Sequence, residues 1–327
     1  MNWLITGGCG FIGAALTKKL LEKKDINVRV FDDLSVGSLD DLKEATGCEP
    51  IVCVGGGNWS NQIEFYKGDI LDAKALTGAV KGADVIVHLA ANTGVGPSVL
   101  DPHLDCKVNV EGTLNVLESA REAGVKRVVF ASSGAPLGAQ IPPLNEKMAP
   151  RPASPYGASK LAGEGYCSAY FQCFSIDTVV LRFGNVYGPG SKNKESVVAK
   201  FIKLAINGEA INIYGDGSQT RDFIFIDDLI QAVLLAGKVP NTGGEVFQIA
   251  TATETSVVEM LQSLFEVMEQ KGVQLPKQSN VSLPSGDVTR NYSDTSKAKA
   301  VLSWEARVSL KEGLGKTLDY FLSNNKR

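Results

Sequence analysis

Thr6-Gly7-Gly8-Cys9-Gly10-Phe11-Ile12-Gly13 links a short apolar run, Trp3–Thr6, to a helical pattern extending from about Phe11 to Lys23. Glycines at 7, 10 and 13 give a GxxGxxG spacing. Gly7 permits a tight turn, Gly10 lets backbone approach a pyrophosphate, and Gly13 lets the helix pack closely on the strand. The helix N-terminus then faces the phosphate charge. Glycines also serve ordinary turns, so the weight lies in the context: strand before, helix after. Asp32 ends the next apolar run, Val28–Phe31. A carboxylate there accepts hydrogen bonds from ribose hydroxyls and repels a 2′-phosphate, which points to NAD rather than NADP.

Further along, Asp84–Leu89, Arg127–Ser132 and Thr178–Phe183 are apolar runs separated by helical stretches at Val108–Ala123 and from Tyr156. The runs are continuous, not alternating, as expected of strands covered on both faces. The βαβα order predicts an α/β fold, a Rossmann-type doubly wound parallel sheet with right-handed crossovers. After Gly188-Pro189-Gly190 the pattern turns irregular. Helices are expected near Ser196–Asn207, Ser256–Lys271 and Leu310–Leu322, with a strand at Ala210–Tyr214. Residues 1–180 are therefore read as an NAD-binding Rossmann domain that also receives about 221–250, and 181–327 as mainly a smaller substrate-binding domain. Gly55-Gly56-Gly57-Asn58 reads as a surface loop.

The 327 residues carry a net charge of −3 with no block of like charge, which argues against a non-specific nucleic-acid binder. No apolar run reaches membrane-spanning length, and the N-terminus reads as a first strand rather than a signal peptide. The six cysteines, Cys9, Cys48, Cys53, Cys106, Cys167 and Cys173, form neither a CxxC pair nor a zinc pattern. No metal is expected, and buried free thiols in a reducing cytoplasm are the favoured reading.

Tyr156-Gly157-Ala158-Ser159-Lys160 places a tyrosine and a lysine at i and i+4, on one face of a helix. The lysine charge favours tyrosinate, making Tyr156 a candidate acid/base. YxxxK also arises by chance. Here Ser132-Ser133 ends an apolar strand one βα unit upstream, and strand C-termini gather at the ligand crevice.

At this point the chain resembles the extended short-chain dehydrogenase/reductase family, especially its nucleotide-sugar epimerases of the UDP-glucose 4-epimerase kind. The ordered motifs are TGGCGFIG at 6–13, FDDLSVG at 31–37, GDI at 68–70, HLAA at 88–91, NVEGTLNVLE at 109–118 and ASSGAPLG at 131–138. SPYGASK at 154–160, LRFGNVYGPG at 181–190, IYGDGSQTRDFIFIDDL at 213–229, GDV at 286–288 and DTSKA at 294–298 complete the series. The resemblance implies Tyr156 as acid/base, Lys160 as its partner and Ser133 as the hydroxyl that bonds the substrate oxygen. For NAD it implies Gly7, Gly10, Phe11, Ile12 and Gly13, then Asp32, Asp33, Leu34, Ser35 and Gly37. Asp69 and Ile70 would flank the adenine, with Leu89, Ala90, Ala91, Thr93 and Asn109 beneath or beside the cofactor. Asn185 and Arg221 would hold the diphosphate of a UDP-sugar, and Asn212 and Tyr214 would lie near its base. It further implies a homodimer through the 108–123 and 156–173 helices, where Leu161, Gly165, Ala169 and Cys173 share a face.

The chain departs from the family pattern in places. Pro136-Leu137-Gly138 stands where Val-Tyr-Gly is usual, and Pro284 where an arginine is common; Arg290 is the candidate replacement phosphate ligand. Related 4,6-dehydratases carry Asp-Glu after the catalytic hydroxyl residue, and decarboxylases a glutamate at the second position. Gly134 and Ala135 occupy those places. Neither can protonate a leaving hydroxyl, which favours 4-epimerisation through a 4-keto intermediate. UDP-glucuronate epimerisation, a dehydratase or reductase, and a non-catalytic NAD sensor or scaffold are the alternatives. Three residues before Asp294, Asn291 falls at the position lining the C2 side of the sugar pocket in related 4-epimerases. It is small enough to admit an N-acetyl group.

Overall fold

The computed structural model describes residues 1–53, 59–60, 62–282 and 289–324. The Gly55–Gly57 stretch, Pro284 and the Gly286-Asp287 pair lie outside the described residues. Eight strands form one sheet: β1 (Asn2–Thr6), β2 (Asn27–Asp32), β3 (Ile51–Val52), β4 (Glu64–Lys67), β5 (Val85–His88), β6 (Arg127–Ser133), β7 (Asp177–Phe183) and β8 (Val246–Ile249). Their order is β8-β7-β6-β5-β1-β2-β4-β3, and every neighbouring pair is parallel. The chain starts in the middle. β1 pairs with β2 on one side and β5 on the other, with Thr6 level with both Phe31 and His88. The order of strands reverses there, and the crevice beyond such a reversal is where open α/β sheets bind ligands.

The continuous apolar runs have a direct cause. Trp3, Leu4 and Ile5 are all fully buried, yet Trp3 and Ile5 join one apolar cluster and Leu4 the other. Successive side chains point to opposite faces, so a sheet covered by helices on both sides needs apolar residues at every position. Each such burial stabilises by about 1.5–3 kcal/mol.

Two stretches differ from the sequence reading. The helix expected over Val108–Ala123 is longer and interrupted: Pro102–Cys106 leads into a wider π turn, Lys107–Glu111, and then Gly112–Glu122. β3 and β4, with the helices Leu39–Thr46 and Ala73–Val80, were not among the elements read from the sequence. β3 is two exposed residues at the sheet edge.

Beyond β7 the chain leaves the sheet and returns. Asn185–Tyr187 pairs with Phe223–Phe225, Ile211–Tyr214 with Gln278–Val281, and Thr220–Arg221 with Thr255–Ser256. The helix Ile226–Ala236 packs on Phe11–Leu21 before β8 joins β7. All six cysteines are free thiols, but only Cys9 and Cys167 are buried, while Cys48, Cys106 and Cys173 are exposed. The expectation of buried thiols is corrected for those three: Cys48 follows the glycine that ends a helix, and Cys106 and Cys173 fall on outward faces. Among the described residues, no helix is long and apolar enough to cross a membrane.

Candidate active site

A cleft of about 1950 Å³ opens along the C-terminal strand ends. Pockets for a single small ligand run to about 300–1,000 Å³, so this one has room for two sizeable molecules. The glycine turn forms one wall. Gly7 is left-handed, at φ +69°, and a Cβ on it would lie 2.7 Å from the amide nitrogen of Ala90. A Cβ on Gly13 would collide with the Gly7 carbonyl, and one on Gly37 with that of Cys9. Any side chain at these positions would push apart the turn, the helix and the 33–37 loop. The result is a cradle of bare backbone at a helix N-terminus, suited to a pyrophosphate.

Asp32 is buried at the end of β2. Its Oδ2 accepts from the amide of Cys9 at 2.9 Å, and its Oδ1 from that of Leu34 at 2.8 Å. Burial raises its pKa, and those two amides oppose the rise. The carboxylate thus ties the glycine turn to the next loop while still facing the cleft. Asp33, Ser35 and Gly37 also line the wall, as do Asp69 and Ile70; Leu34 does not.

Leu89, Ala90, Ala91 and Thr93 line the cleft beyond β5. Below them, Thr113 donates its hydroxyl proton to the Asn109 carbonyl at 2.6 Å. His88 Nε2 must therefore donate to Thr113 (3.1 Å), leaving Nδ1 to accept from Thr6 at 2.8 Å. Burial, aided by Lys160, drives the His88 pKa down to about 3, so the ring is neutral. Asn109 is not on the cleft wall. Its amide bonds the backbone of Asn92 in both directions, at 2.9 Å each, and reaches Asp105 and Ser159. From within the π turn it braces the loop after β5.

Ser133 ends β6, and the helix Pro155–Phe174 brings Tyr156 and Lys160 to it. Ser154 caps that helix through the amide of Gly157, and Pro155 opens its first turn. A Cβ on Gly157 would stand 2.6 Å from the Ala135 carbonyl, so this glycine lets the helix press against the turn after Ser133. Tyr156 hydrogen-bonds Ser133, which favours ionisation, but burial outweighs this and pushes the Tyr156 pKa up to about 12. The fully buried Lys160 is pushed down to about 8 by desolvation, against the opposing charge of Asp105. Its ammonium donates to the Ala131 carbonyl at 3.0 Å and lies 6.0 Å from the Tyr156 ring centre.

On the far side, Asn185, Asn212, Tyr214 and Arg221 line the cleft. The alternation of Ile211–Tyr214 turns Asn212 and Tyr214 outward from the core. Arg290 is elsewhere: its guanidinium is locked to both carboxylate oxygens of Glu254, at 2.7 Å each, and it does not line the cleft. Asn291, in contrast, lies beside Gly134, with its amide atoms 3.8–3.9 Å from where a Cβ on that glycine would be. Sequence reasoning missed Lys194, an ammonium on the cleft wall whose pKa is lowered by burial and which makes no ion pair among the described residues. A lysine four residues beyond a Gly-Pro-Gly turn carries no local signal of this.

Residues 3–250 match the NAD dependent epimerase/dehydratase family. The chain is 38% identical to UDP-glucose 4-epimerase of Mycolicibacterium smegmatis, over 100% of both chains. Among solved structures it is similar to UDP-glucose 4-epimerase from Thermotoga maritima with UDP-glucose (TM-score 0.86, 34% identity, 99% of this chain and 100% of that one). It is also similar to UDP-glucuronic acid 4-epimerase from Bacillus cereus with UDP-glucuronic acid and NAD (TM-score 0.88, 29% identity, 99% and 100%). The cradle of glycines and the buried Asp32 fit a dinucleotide. The chain belongs to the NAD-dependent epimerase/dehydratase family, and its cofactor is NAD.

Proposed function

We propose that this chain is a UDP-hexose 4-epimerase acting on UDP-glucose and UDP-galactose. The observation that carries the reading is Ser133, Tyr156 and Lys160 gathered at one cleft with Gly134 and Ala135, and no acid, following the serine. Residues 1–180 with about 221–250 hold the dinucleotide; the rest of 181–327 holds the nucleotide sugar. Gly7, Gly10, Phe11, Ile12 and Gly13 hold the pyrophosphate, Asp32 the adenosine ribose, and Asp69 and Ile70 the adenine. NAD⁺, when bound, supplies the acceptor and donor of the hydride at C4. Tyr156 takes the 4-hydroxyl proton as the carbon is oxidised and returns it once the 4-keto sugar has turned over. Ser133 donates to the same sugar oxygen in the keto state. Lys160 stabilises tyrosinate electrostatically. Elimination would need an acid beside the leaving hydroxyl, and positions 134 and 135 offer none.

Asn185 and Arg221 bind the diphosphate, and Asn212 and Tyr214 the base. Arg290 is dropped from this set because Glu254 occupies its guanidinium. The exposed Gly165, Ala169 and Cys173 support a homodimer through that helix face, where a Cβ on Gly165 would meet nothing within 4 Å. The six unpaired thiols support a cytoplasmic setting. A product assay by NMR across UDP-, dTDP-, GDP- and CDP-sugars tests the reading. Interconversion of the C4 epimers without net NADH consumption is expected; loss of water or net reduction would replace it. Lys194 favours UDP-glucuronate as a second reading, since a half-buried ammonium on the cleft wall, with no ion-pair partner among the described residues, suits a substrate carboxylate.

A further inference from the structure

Asp105 is 1% exposed, and among the described residues its Oδ2 has no hydrogen-bond partner. Among the same residues its other oxygen accepts only from Asn109 Nδ2, at 3.0 Å. A buried carboxylate held so sparsely is costly unless a cation compensates it. Its helix, Pro102–Cys106, packs directly on Pro155–Phe174. Asn109 Nδ2 also lies 3.1 Å from Ser159 Oγ, and Ser159 donates to the Tyr156 carbonyl at 3.1 Å. A chain of polar contacts therefore runs from Asp105 to the helical turn that carries both Tyr156 and Lys160.

We propose that Asp105 is a positioning residue for the catalytic pair: through Asn109 and Ser159 its buried carboxylate holds the helical turn that bears Tyr156 and Lys160 and sets a negative charge against that turn. The inference rests on the epimerase reading of this site. The other groups around Lys160 do not do this work. Glu164 faces it but is neutralised by a two-point ion pair with Arg182. Cys167 is a buried thiol whose pKa is raised, so it stays uncharged. His88 is neutral, and Lys194 acts in the opposite sense. Tyr156 itself is protonated in the free enzyme. The Asp105 charge supports the Lys160 ammonium against desolvation, while the same charge raises the Tyr156 pKa.

The test is an NMR titration of the lysine side chains in the NAD-loaded protein, with Lys160→Met identifying the Lys160 signal. Asp105→Asn keeps the shape and removes the charge. The Lys160 midpoint is expected to fall by about one pH unit, the lower end of what a neighbouring charge does. The alkaline limb of kcat/KM should move the same way. A midpoint that stays put or rises would overturn the proposal, whatever happens to turnover; a merely structural Asp105 would lower kcat and leave the midpoint alone. If Asp105→Asn does not fold, Asp105→Ser serves in its place. Absence of epimerase turnover in the unaltered protein would count against the functional reading, while the titration would still decide the role of Asp105.

Discussion

Lys160 donates its ammonium proton to the carbonyl oxygen of Ala131, two residues before Ser133 on the same strand. The cation and the catalytic hydroxyl are thereby referenced to one piece of β6, and Tyr156 is set against both by one turn of helix. The ammonium reaches Tyr156 through space rather than by a direct hydrogen bond. Its influence should therefore be electrostatic and sensitive to any further charge brought into the cleft.

Replacing Tyr156 with phenylalanine removes the group that carries the sugar proton and leaves the ring to pack. Turnover should fall by about 10²–10⁴-fold, as for loss of a general acid/base. The melting temperature and NAD affinity should change little. Near-normal epimerisation by the variant would remove Tyr156 from the mechanism.

In the free protein Tyr156 ionises only near pH 12. A nicotinamide cation brought into the cleft favours tyrosinate, so the midpoint should drop when NAD⁺ binds. Ultraviolet difference titration of the protein against Tyr156→Phe, with and without NAD⁺, reads this directly. A midpoint unchanged by the cofactor would show that the two charges do not communicate.

Lys160 has the opposite balance. Its folded pKa, about 8, is below its ordinary 10.5, so between those values the unfolded chain binds more protons than the folded one. Stability from this group therefore rises with pH through that window, and below pH 8 the buried charge costs up to about 3 kcal/mol. Lys160→Met lacks this contribution, so its stability relative to the parent should fall as the pH rises from 8 to about 10; its absolute stability also carries the cost of leaving the Asp105 carboxylate without a cation, and it should be catalytically poor. Urea melts across this range decide the matter; a stability difference that does not change with pH would contradict it.

Asp32 should reject NADP, and its removal should do more than relax that choice. Asp32→Ala strips the acceptor from the amides of Cys9 and Leu34. Each buried donor left unpaired costs about 1–3 kcal/mol, so cofactor-free protein should be destabilised as well as weakened for NAD. Calorimetry of binding and denaturation separates the two effects. Tighter binding of NADP than of NAD by the parent would refute the ribose assignment.

Asn291 lies beside Gly134, next to the catalytic serine. If it borders the C2 side of the sugar, UDP-GlcNAc and UDP-GalNAc should be accepted, and Asn291→Tyr should suppress that pair while sparing UDP-glucose and UDP-galactose. Parallel kcat/KM measurements on both pairs are the check. Equal loss of both, or no N-acetylhexosamine turnover in the parent, would remove Asn291 from any role in selecting the C2 substituent.

Much of this molecule was legible in the chain because its signals are local. A glycine turn between a strand and a helix, a Tyr and a Lys four residues apart, and unbroken apolar runs depend on backbone geometry within a few residues. They specified the doubly covered parallel sheet and the identity of the chemical groups. What the chain did not show are the partners that meet only after folding. Arg290 carries the right charge for a phosphate, but Glu254, thirty-six residues away, claims it. Asn109 lies in a cofactor-like motif, yet a π turn aims its amide at Asn92 and Ser159. Asp105 and Lys194 had no motif at all. Their importance comes from desolvation against walls distant in sequence, which exists only once those walls have closed. The sequence by itself determined which groups the protein owns and the frame that carries them; only the tertiary structure decided which charges are paired and which are left to act, because that depends on long-range contacts and the low dielectric they create.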